Sequence, residues 1–424
     1  MKYIVMLGDG MADYPVEALG GRTPLETAKK PNIDRLARYG ELGMVKTVPN
    51  GMKPGSDVAN LAAMGYDPEC CYTGRSPLEA VSIGIDMAES DVAFRCNLVT
   101  LSGEGDYQDK VMADYSAGEI TTAEASELIQ AIAQAFSTEE IAFYPGISYR
   151  HCMIWHGGPV GLDLTPPHDI SDKTITEYLP GNRTILDLMR RSFEVLDKHP
   201  VNEARRAKGL NPANSIWLWG EGTRPGVTSF EKMYGVKGSV ISAVDLIKGI
   251  GICAGMKVIE VEGATGNLDT NFKGKGQAAL KTLLEGQDLV YIHVEAPDEC
   301  GHHGDTEGKV QAIERIDEEI VGPLLEGLET AGEEYSILVM PDHPTPLSLK
   351  THIADPIPYL LYRSTDRQAS GINSYTEAAA AGTGRYEEHG HSLMRRLLGM
   401  PVRECPNVSE ACAGKKETSE ADFL

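Results

Sequence analysis

The sequence predicts an α/β fold in which a parallel sheet is flanked by helices and a smaller domain is inserted. Three mainly apolar runs, at residues 3–7, 289–294 and 336–340, are rich in β-branched and aliphatic residues and show no regular polar alternation. Such runs are typical of strands that helices cover on both faces of a parallel sheet. Helical patterns fill the gaps between them, as expected for the α/β class.

An aspartate follows each of these three runs, at Asp9, Asp298 and Asp342. Ligands of parallel α/β sheets gather at the carboxyl ends of the strands. We therefore expect the three carboxylates to converge in one crevice, although they are widely separated along the chain. Further strands are predicted at residues 257–261 and 357–362.

The clearest helical pattern covers residues 306–328, where apolar side chains recur at helical spacing. Pro323 should kink the last turns of this helix. The acidic side chains of Asp317 and Glu318 are expected on its solvated face. A second helix is predicted over residues 122–136.

The chain is expected to divide into a discontinuous main domain and an insertion. Residues 1–86 and 236–409 share the strand and helix rhythm and should form the main, metal-binding domain. Residues 87–235 contain shorter strand candidates and all three tryptophans, which predicts an inserted α+β cap domain. The polar residues 410–424 are expected to be a flexible tail.

Composition limits the possible partners. The 424 residues are 42% hydrophobic, as in a globular protein, and carry a formal net charge of -23. Nucleic acids and anionic membranes would be repelled, so we expect neither as a partner. With no run of 18 apolar residues, no signal-like start and no CxxC cysteine pair, a cytoplasmic location is expected. The oligomeric state is left open.

A mixture of carboxylates and imidazoles lies in three short segments near the later strand ends. Hard oxygen donors combined with imidazole suit manganese or zinc. Taken singly, each residue could be a helix cap or a solvated side chain, but several mixed clusters at strand ends favour a metal site. Asp298 and His302 are four residues apart, which fits either one helical face or a loop. The segments are EAPDECGHHGD, MPDHPTP and KTHIADPIP.

Ser56 is the candidate nucleophile. In KPGSDVANLAAMGY it stands between a Pro-Gly turn and an apolar helical pattern, which predicts a helix N-cap. Its hydroxyl could simply satisfy a helix amide. Alternatively, the helix N-terminus could stabilise a phosphate carried by this serine. A neutral serine is a poor nucleophile, so the second interpretation requires a bound cation.

Together these motifs resemble the cofactor-independent phosphoglycerate mutases of the alkaline phosphatase superfamily. The archaeal-type branch, which also includes bacterial chains labelled as proposed homoserine kinases, is the most similar. The resemblance covers nearly the whole chain and implies an alkaline-phosphatase-like sheet. It is carried by GDGMAD, PGSDVANLAAMGY with TGR, DVAFRCNLVT, DYSAGEI, YRH, WLWGEGTRP, GATGNLDTNFKGKGQAAL, APDECGHHGD and PDHPTPLSLKTHIADPIPYLLY.

The resemblance implies two divalent metal ions, with manganese favoured and zinc, magnesium or cobalt as alternatives. One ion would be held by Asp298, His302 and His352. The other would be held by Asp9, Ser56, Asp342 and His343. His303 and Asp305 are expected to support the site without binding metal.

For substrate binding, the resemblance favours Arg95, Arg150 and His151, since they lie in matching cap segments. Their alternative roles are a surface salt bridge or a packed imidazole. The implied activity is interconversion of 3-phosphoglycerate and 2-phosphoglycerate, small phosphorylated three-carbon acids, through a phosphoserine at Ser56. Phosphorylation of homoserine and metal-dependent phosphatase activity are alternatives, but the absence of a GxxxxGK[ST] motif favours the mutase. A non-enzymatic, metal-stabilised scaffold is disfavoured by the intact set of ligands.

Overall fold

The computed structural model describes residues 1–367 and 369–402, so the predicted tail at 410–424 lies outside the described residues. The chain forms two compact units. The main unit comprises Met1–Tyr72 and the described residues from Gly226 onward, and the inserted unit comprises Thr73–Pro225. Among the described residues, no helix has both the length and the apolar character needed to cross a membrane.

The secondary structure elements are numbered in chain order. The strands are β1 (Lys2–Gly8), β2 (Glu41–Val45), β3 (Asp91–Ser102), β4 (Val111–Asp114), β5 (Ile141–Ile147), β6 (Arg150–His156), β7 (Ser215–Thr223), β8 (Gly238–Ile241), β9 (Lys257–Val258), β10 (Leu289–Val294), β11 (Tyr335–Met340), β12 (Ile357–Arg363) and β13 (Tyr386–Glu387). The α-helices are α1 (Pro24–Thr27), α2 (Pro31–Ala37), α3 (Ser56–Ala63), α4 (Pro68–Cys71), α5 (Ser76–Ser82), α6 (Thr122–Phe136), α7 (Arg183–Leu196), α8 (Pro200–Ala207), α9 (Phe230–Tyr234), α10 (Asp245–Cys253), α11 (Phe272–Leu284), α12 (Ala296–His303), α13 (Thr306–Arg315), α14 (Gly322–Thr330), α15 (Glu377–Gly382) and α16 (Ser392–Leu397).

The main unit is built on an eight-stranded sheet with the order β13-β2-β12-β11-β1-β10-β8-β9. Strand β1 is parallel to both neighbours, β10 and β11, and β8 is parallel to β10. The predicted α/β class, with a sheet flanked by helices, is therefore confirmed. The sheet is mixed, however, because β12 runs antiparallel to β11 and to β2. No crossover helix lies between β11 and β12, so the chain returns antiparallel.

The central strands β10 and β11 are buried along their whole length. Alternate side chains of β1, β10 and β11 join those of α11 and α14 in one apolar cluster. Successive side chains of a strand point to opposite faces. Tyr291 and His293 therefore belong to the other face of β10, where both are fully buried.

The helix predicted over residues 306–328 is interrupted by a π-helical segment, Ile316–Val321, between α13 and α14. Pro323 lies at the start of α14 and provides no N–H, which explains the local change of hydrogen bonding. Glu318 is exposed as predicted, but Asp317 is buried. Its carboxylate accepts hydrogen bonds from the backbone N–H groups of Asn32 (3.2 Å) and Ile33 (2.7 Å) at the start of α2.

The inserted unit contains a five-stranded sheet with the order β4-β3-β6-β5, in which β7 also pairs with β3. All of these pairs are antiparallel. Helices α6 and α7 contribute apolar side chains to a buried cluster with the sheet. Helix α6 coincides with the predicted 122–136 helix and is capped by Thr121, whose side chain accepts from the N–H of Glu124.

The boundaries of the inserted unit differ from the predicted 87 and 235. Residues before 87 belong to it because Thr73 and Ser76 donate hydrogen bonds to the backbone of β7. Residues after 225 belong to the main unit, since the hydroxyl of Tyr234 donates to the carbonyl of Gly65 at 2.7 Å. The insertion is therefore shifted toward the N-terminus at both ends.

Candidate active site

Three buried aspartates lie at the carboxyl ends of adjacent strands in the main unit. Asp9 follows β1, Asp342 follows β11, and Asp298 lies in α12 directly after β10. Because β1 lies between β10 and β11, the ends of these strands meet at the same edge of the sheet. The structure therefore brings together carboxylates that are distant in sequence.

A first group of possible metal ligands consists of Asp9, Asp342 and His343, whose donor atoms lie within 4.8 Å of one another. The Nε2 atom of His343 is 3.6 Å from Asp9 Oδ1 and 3.3 Å from Asp342 Oδ2. The hydroxyl oxygen of Ser56 lies 3.2 Å from the same nitrogen. All four residues predicted for this ion are thus adjacent.

A second group surrounds Asp298. The Nε2 atom of His302 lies 3.1 Å from Asp298 Oδ2, and that of His352 lies 3.4 Å from Asp298 Oδ1. The two Nε2 atoms are 2.8 Å apart. Asp298 and His302 share one face of α12, which decides between the helix and loop alternatives. His343 is within ligand reach of this group also, and its ring stacks on that of His352 at 4.0 Å.

Ser56 is the first residue of α3 and not its N-cap, so the cap prediction is wrong. Gly55 has extended backbone angles and its carbonyl accepts the first helical hydrogen bond, from Ala59. The serine hydroxyl is consequently not used to satisfy a helix amide, and it lies beside His343.

The electrostatics of the cluster favour a cation. Burial, and then the nearby carboxylates of Asp342 and Asp298, raise the pKa of Asp9 well above its usual value. Burial also raises the pKa of Asp298, but hydrogen bonds from His302 and His352 outweigh this effect and hold it well below its usual range. Buried charges require compensation by paired groups or metals.

Asp9 provides a direct test of whether a metal ion fits. Its Oδ1 atom is buried and has no hydrogen-bond partner among the described residues. Such an orphaned oxygen requires an explanation in a native structure, and a bound cation provides one. Carboxylate oxygens together with imidazole nitrogens are the donors that manganese and zinc accept. The two groups are therefore candidate sites for divalent cations.

Several residues that support the cluster were not predicted. Asp342 Oδ2 accepts from Asn60 Nδ2 at 2.9 Å, and its Oδ1 accepts from the backbone N–H of Gly10 at 3.2 Å. The hydroxyl of Thr345 donates to Asp298. Asn60 lies four residues after Ser56, and this helical spacing was the one feature of the sequence that could have pointed to it.

Lys309 holds the two loops that carry the ligands. This residue is fully buried, and its Nζ atom donates to Asp13 Oδ2 at 2.7 Å and to the carbonyl of Thr345 at 2.8 Å. It also donates to the carbonyl of Ala12. One ammonium group thus connects the loop after β1 with the loop after β11.

The predicted supporting roles of His303 and Asp305 are not seen. The side chain of His303 is exposed, and its nearest carboxylate is Glu299 at 4.0 Å. Asp305 is the N-cap of α13 and accepts from the N–H of Gly308 at 2.9 Å. Hydrogen bonding to a helix terminus explains why this Asp follows the metal motif.

Two of the residues predicted to bind substrate, Arg150 and His151, lie on β6, and the third, Arg95, lies on the neighbouring strand β3. The guanidinium of Arg95 is paired with Glu79, to which its Nε donates at 2.8 Å. His151 is buried, its Nδ1 accepts from the N–H of Gly146 at 3.0 Å, and burial lowers its pKa to about 3. Arg150 is exposed, and its role and those of the other two remain predictions.

A sequence profile described as 2,3-bisphosphoglycerate-independent phosphoglycerate mutase matches residues 37–202. A Geobacter sulfurreducens protein named as a probable mutase of this kind is 52% identical over 94% of this chain and 100% of its own length. The Methanothrix thermoacetophila mutase is 49% identical over 94% of this chain and 100% of its own length.

Solved structures agree with these relatives. The PH0037 protein of Pyrococcus horikoshii has a TM-score of 0.79 at 30% identity, covering 96% of this chain and 99% of that one. The cofactor-independent phosphoglycerate mutase of Thermoplasma acidophilum has a TM-score of 0.64 at 26% identity, covering 94% and 99%. On this evidence of near full-length similarity, the chain belongs to the family of 2,3-bisphosphoglycerate-independent phosphoglycerate mutases.

Proposed function

We propose that this protein interconverts 3-phosphoglycerate and 2-phosphoglycerate through a phosphoserine at Ser56. The observation that carries the proposal is the position of the Ser56 hydroxyl, 3.2 Å from His343 Nε2 and beside a group of buried carboxylates. Relatives that share about half of the sequence are named as phosphoglycerate mutases, which supports the same substrate class.

Two divalent cations are proposed as cofactors, with manganese favoured and zinc, magnesium or cobalt as alternatives. The first would be held by Asp298, His302 and His352, and the second by Asp9, Ser56, Asp342 and His343. When bound, the cations would supply positive charge that favours the ionised serine and offsets the charge of the phosphoryl oxygens. The orphaned Oδ1 atom of Asp9 supports this assignment.

In the proposed reaction, Ser56 Oγ attacks phosphorus while the bond from phosphorus to the 3-oxygen of glycerate breaks. The proton lost by the serine is balanced by the proton gained at the 3-oxygen. The 2-hydroxyl of the retained glycerate then attacks the phosphoserine and regenerates Ser56. Ser56 lies at the start of α3, where the positive end of the helix dipole would favour a phosphoryl group on its hydroxyl.

The inserted unit is proposed to hold the glycerate and to exclude water, since hydrolysis of the phosphoserine would turn the mutase into a phosphatase. Of the three candidates, we assign the leading role to Arg150, whose guanidinium is exposed. The charge of Arg95 is already compensated by Glu79, and His151 is buried. These two would act by shaping the sheet around Arg150.

Phosphorylation of homoserine is less well supported, because the similar relatives are named as mutases. A cytoplasmic location is proposed on the basis of the glycolytic reaction. Metal-loaded protein should convert 3-phosphoglycerate to 2-phosphoglycerate without releasing phosphate. Consumption of ATP with homoserine, in the absence of mutase turnover, would instead establish the kinase, and release of free phosphate would establish the phosphatase.

A further inference from the structure

The two carboxylate oxygens of Asp9 have different surroundings. Oδ2 lies 2.9 Å from Nε2 of His293, whereas Oδ1 is buried without a hydrogen-bond partner among the residues the structure describes. His293 lies on β10, next to β1 in the sheet, and its side chain is only 1% exposed. The imidazole therefore engages one oxygen of Asp9 and leaves the other for a different partner.

The tautomer of His293 follows from its contacts with Asp9 and Ser242 taken together. Nδ1 of the ring lies 3.2 Å from the hydroxyl of Ser242, and that hydroxyl already accepts a hydrogen bond from the N–H of Val244 at 3.0 Å. As a metal ligand in the proposed function, Asp9 is ionised, so its Oδ2 can only accept; the ring proton is therefore on Nε2, and Nδ1 accepts from the hydroxyl of Ser242. In this tautomer His293 donates to Asp9.

The backbone of His293 is also anchored. Its carbonyl accepts a hydrogen bond from Nζ of Lys275 at 3.2 Å, and Lys275 is fully buried. Ser242 directly follows β8, His293 lies on β10 and Asp9 directly follows β1. These three strands are consecutive in the sheet, so a hydrogen-bonded chain crosses it and ends at the carboxylate.

We propose that His293 is a positioning residue that fixes Asp9 so that Oδ1 faces the cation of the Asp9, Asp342 and His343 group. Both ring nitrogens of His293 are engaged, one by Ser242 and one by Asp9, so the imidazole is not itself a ligand. The inference rests on the metal binding of the proposed function. It adds a residue that acts through a ligand and touches neither substrate nor reacting atoms.

The test is a manganese titration of metal-stripped protein, with free Mn²⁺ followed by electron paramagnetic resonance. His293→Leu should weaken the binding of one ion about 10- to 100-fold and leave the other unchanged. His293→Gln, which keeps a donor near the position of Nε2, should restore the affinity to within about threefold of wild type, because the hydrogen bond is kept. Ser242→Ala should give an intermediate loss.

The matched control is Ser239→Ala. Ser239 is a buried serine of β8 whose hydroxyl donates to the carbonyl of Leu289 at 2.9 Å. The Ser239→Ala variant should bind both ions with the affinity of the wild-type protein. Thermal unfolding of the metal-free variants, measured in parallel, separates loss of fold from loss of a ligand's orientation.

The outcomes distinguish this inference from the proposed function. Failure of the wild-type protein to bind manganese would overturn the proposed metal chemistry itself. Two ions bound by wild type and by His293→Leu with equal affinity would overturn only the positioning role. Equal weakening of both ions with a lowered melting temperature, or no restoration by His293→Gln, would likewise reject it.

Discussion

The Nδ2 atom of Asn60 donates to Asp342 Oδ2 at 2.9 Å and to the carbonyl of Ser56 at 2.8 Å. Its side-chain oxygen accepts from the hydroxyl of Tyr291 at 2.6 Å, which determines how the amide is oriented. One buried amide thus connects the helix of the nucleophile to a carboxylate at the end of β11. The distance between Ser56 and Asp342 depends on this contact.

Asn60→Leu should therefore lower kcat about 10- to 100-fold. Leucine has a similar size but cannot form the hydrogen bonds that orient Asp342 and the start of α3. Steady-state kinetics at saturating manganese measure the effect. Asn202→Leu is the matched control, since Asn202 is equally buried but bonds only backbone groups, including the carbonyl of Leu196. An unchanged kcat in Asn60→Leu would contradict the positioning argument.

Ser56→Ala should abolish phosphoryl transfer while the metal content is retained, because Asp9, Asp342 and His343 remain. Trapping of the phosphoenzyme with labelled substrate and elemental analysis of the purified variant measure the two effects. Mutase turnover that persists in this variant would reject the covalent route.

Lys309→Met should destabilise the protein by about 3–5 kcal/mol, because the carboxylate of Asp13 would stay buried without its ammonium partner. Chemical denaturation measures this loss. Adding Asp13→Asn should recover part of it, since the two groups are in direct contact at 2.7 Å.

Lys281→Met provides the exposed comparison for Lys309→Met. Its partner Glu285 lies 3.8 Å away and both side chains are largely exposed, so the cost should be below about 1 kcal/mol. Equal costs for the buried and exposed variants would show that Lys309 does not clamp the loops.

The buried imidazole of His151 should make stability depend on pH. Burial lowers its pKa to about 3, below the value of about 6.5 expected in the unfolded chain. Between these values the unfolded state binds a proton that the folded state does not, so stability falls as the pH decreases below about 6.5. This group should cost about 1 kcal/mol on going from about pH 7.5 to about pH 5.5.

His151→Asn tests this, because asparagine does not titrate and its side-chain oxygen can still accept from the N–H of Gly146. Between about pH 7.5 and about pH 5.5, the variant should lose about 1 kcal/mol less stability than the wild-type protein. His303→Asn, at an exposed histidine, controls for removal of an imidazole. The same pH dependence in wild type and His151→Asn would refute the assignment.

The strand ends and the acids and imidazoles beyond them could be predicted from local pattern, whereas the two sets of candidate ligands came from the family resemblance. Mainly apolar runs indicated β1, β10 and β11. A structural role alone would rarely require so many acids and imidazoles just after these strands. Asp317 and Ser56 were misjudged for a different reason. Whether Asp317 meets the start of α2, or whether Gly55 takes the capping role, depends on residues and backbone angles that periodicity does not contain.

His293 and Lys309 could not be predicted as supports of the site, and for Asn60 the sequence offered only its helical spacing from Ser56. The burial of each follows from packing between distant elements. Sequence spacing alone does not show which buried partner such a residue meets. The antiparallel direction of β12 was not predicted either, and it results from the absence of a crossover helix between β11 and β12.

The order of the ligands along the chain has a consequence for biosynthesis. Asp9 and Ser56 precede the inserted unit, whereas Asp298, Asp342 and His352 follow it. A nascent polypeptide cannot complete either candidate ion-binding group until residues in its last third have left the ribosome. Premature termination anywhere in the insertion would therefore yield a product without a reaction centre, whatever part of it had already folded.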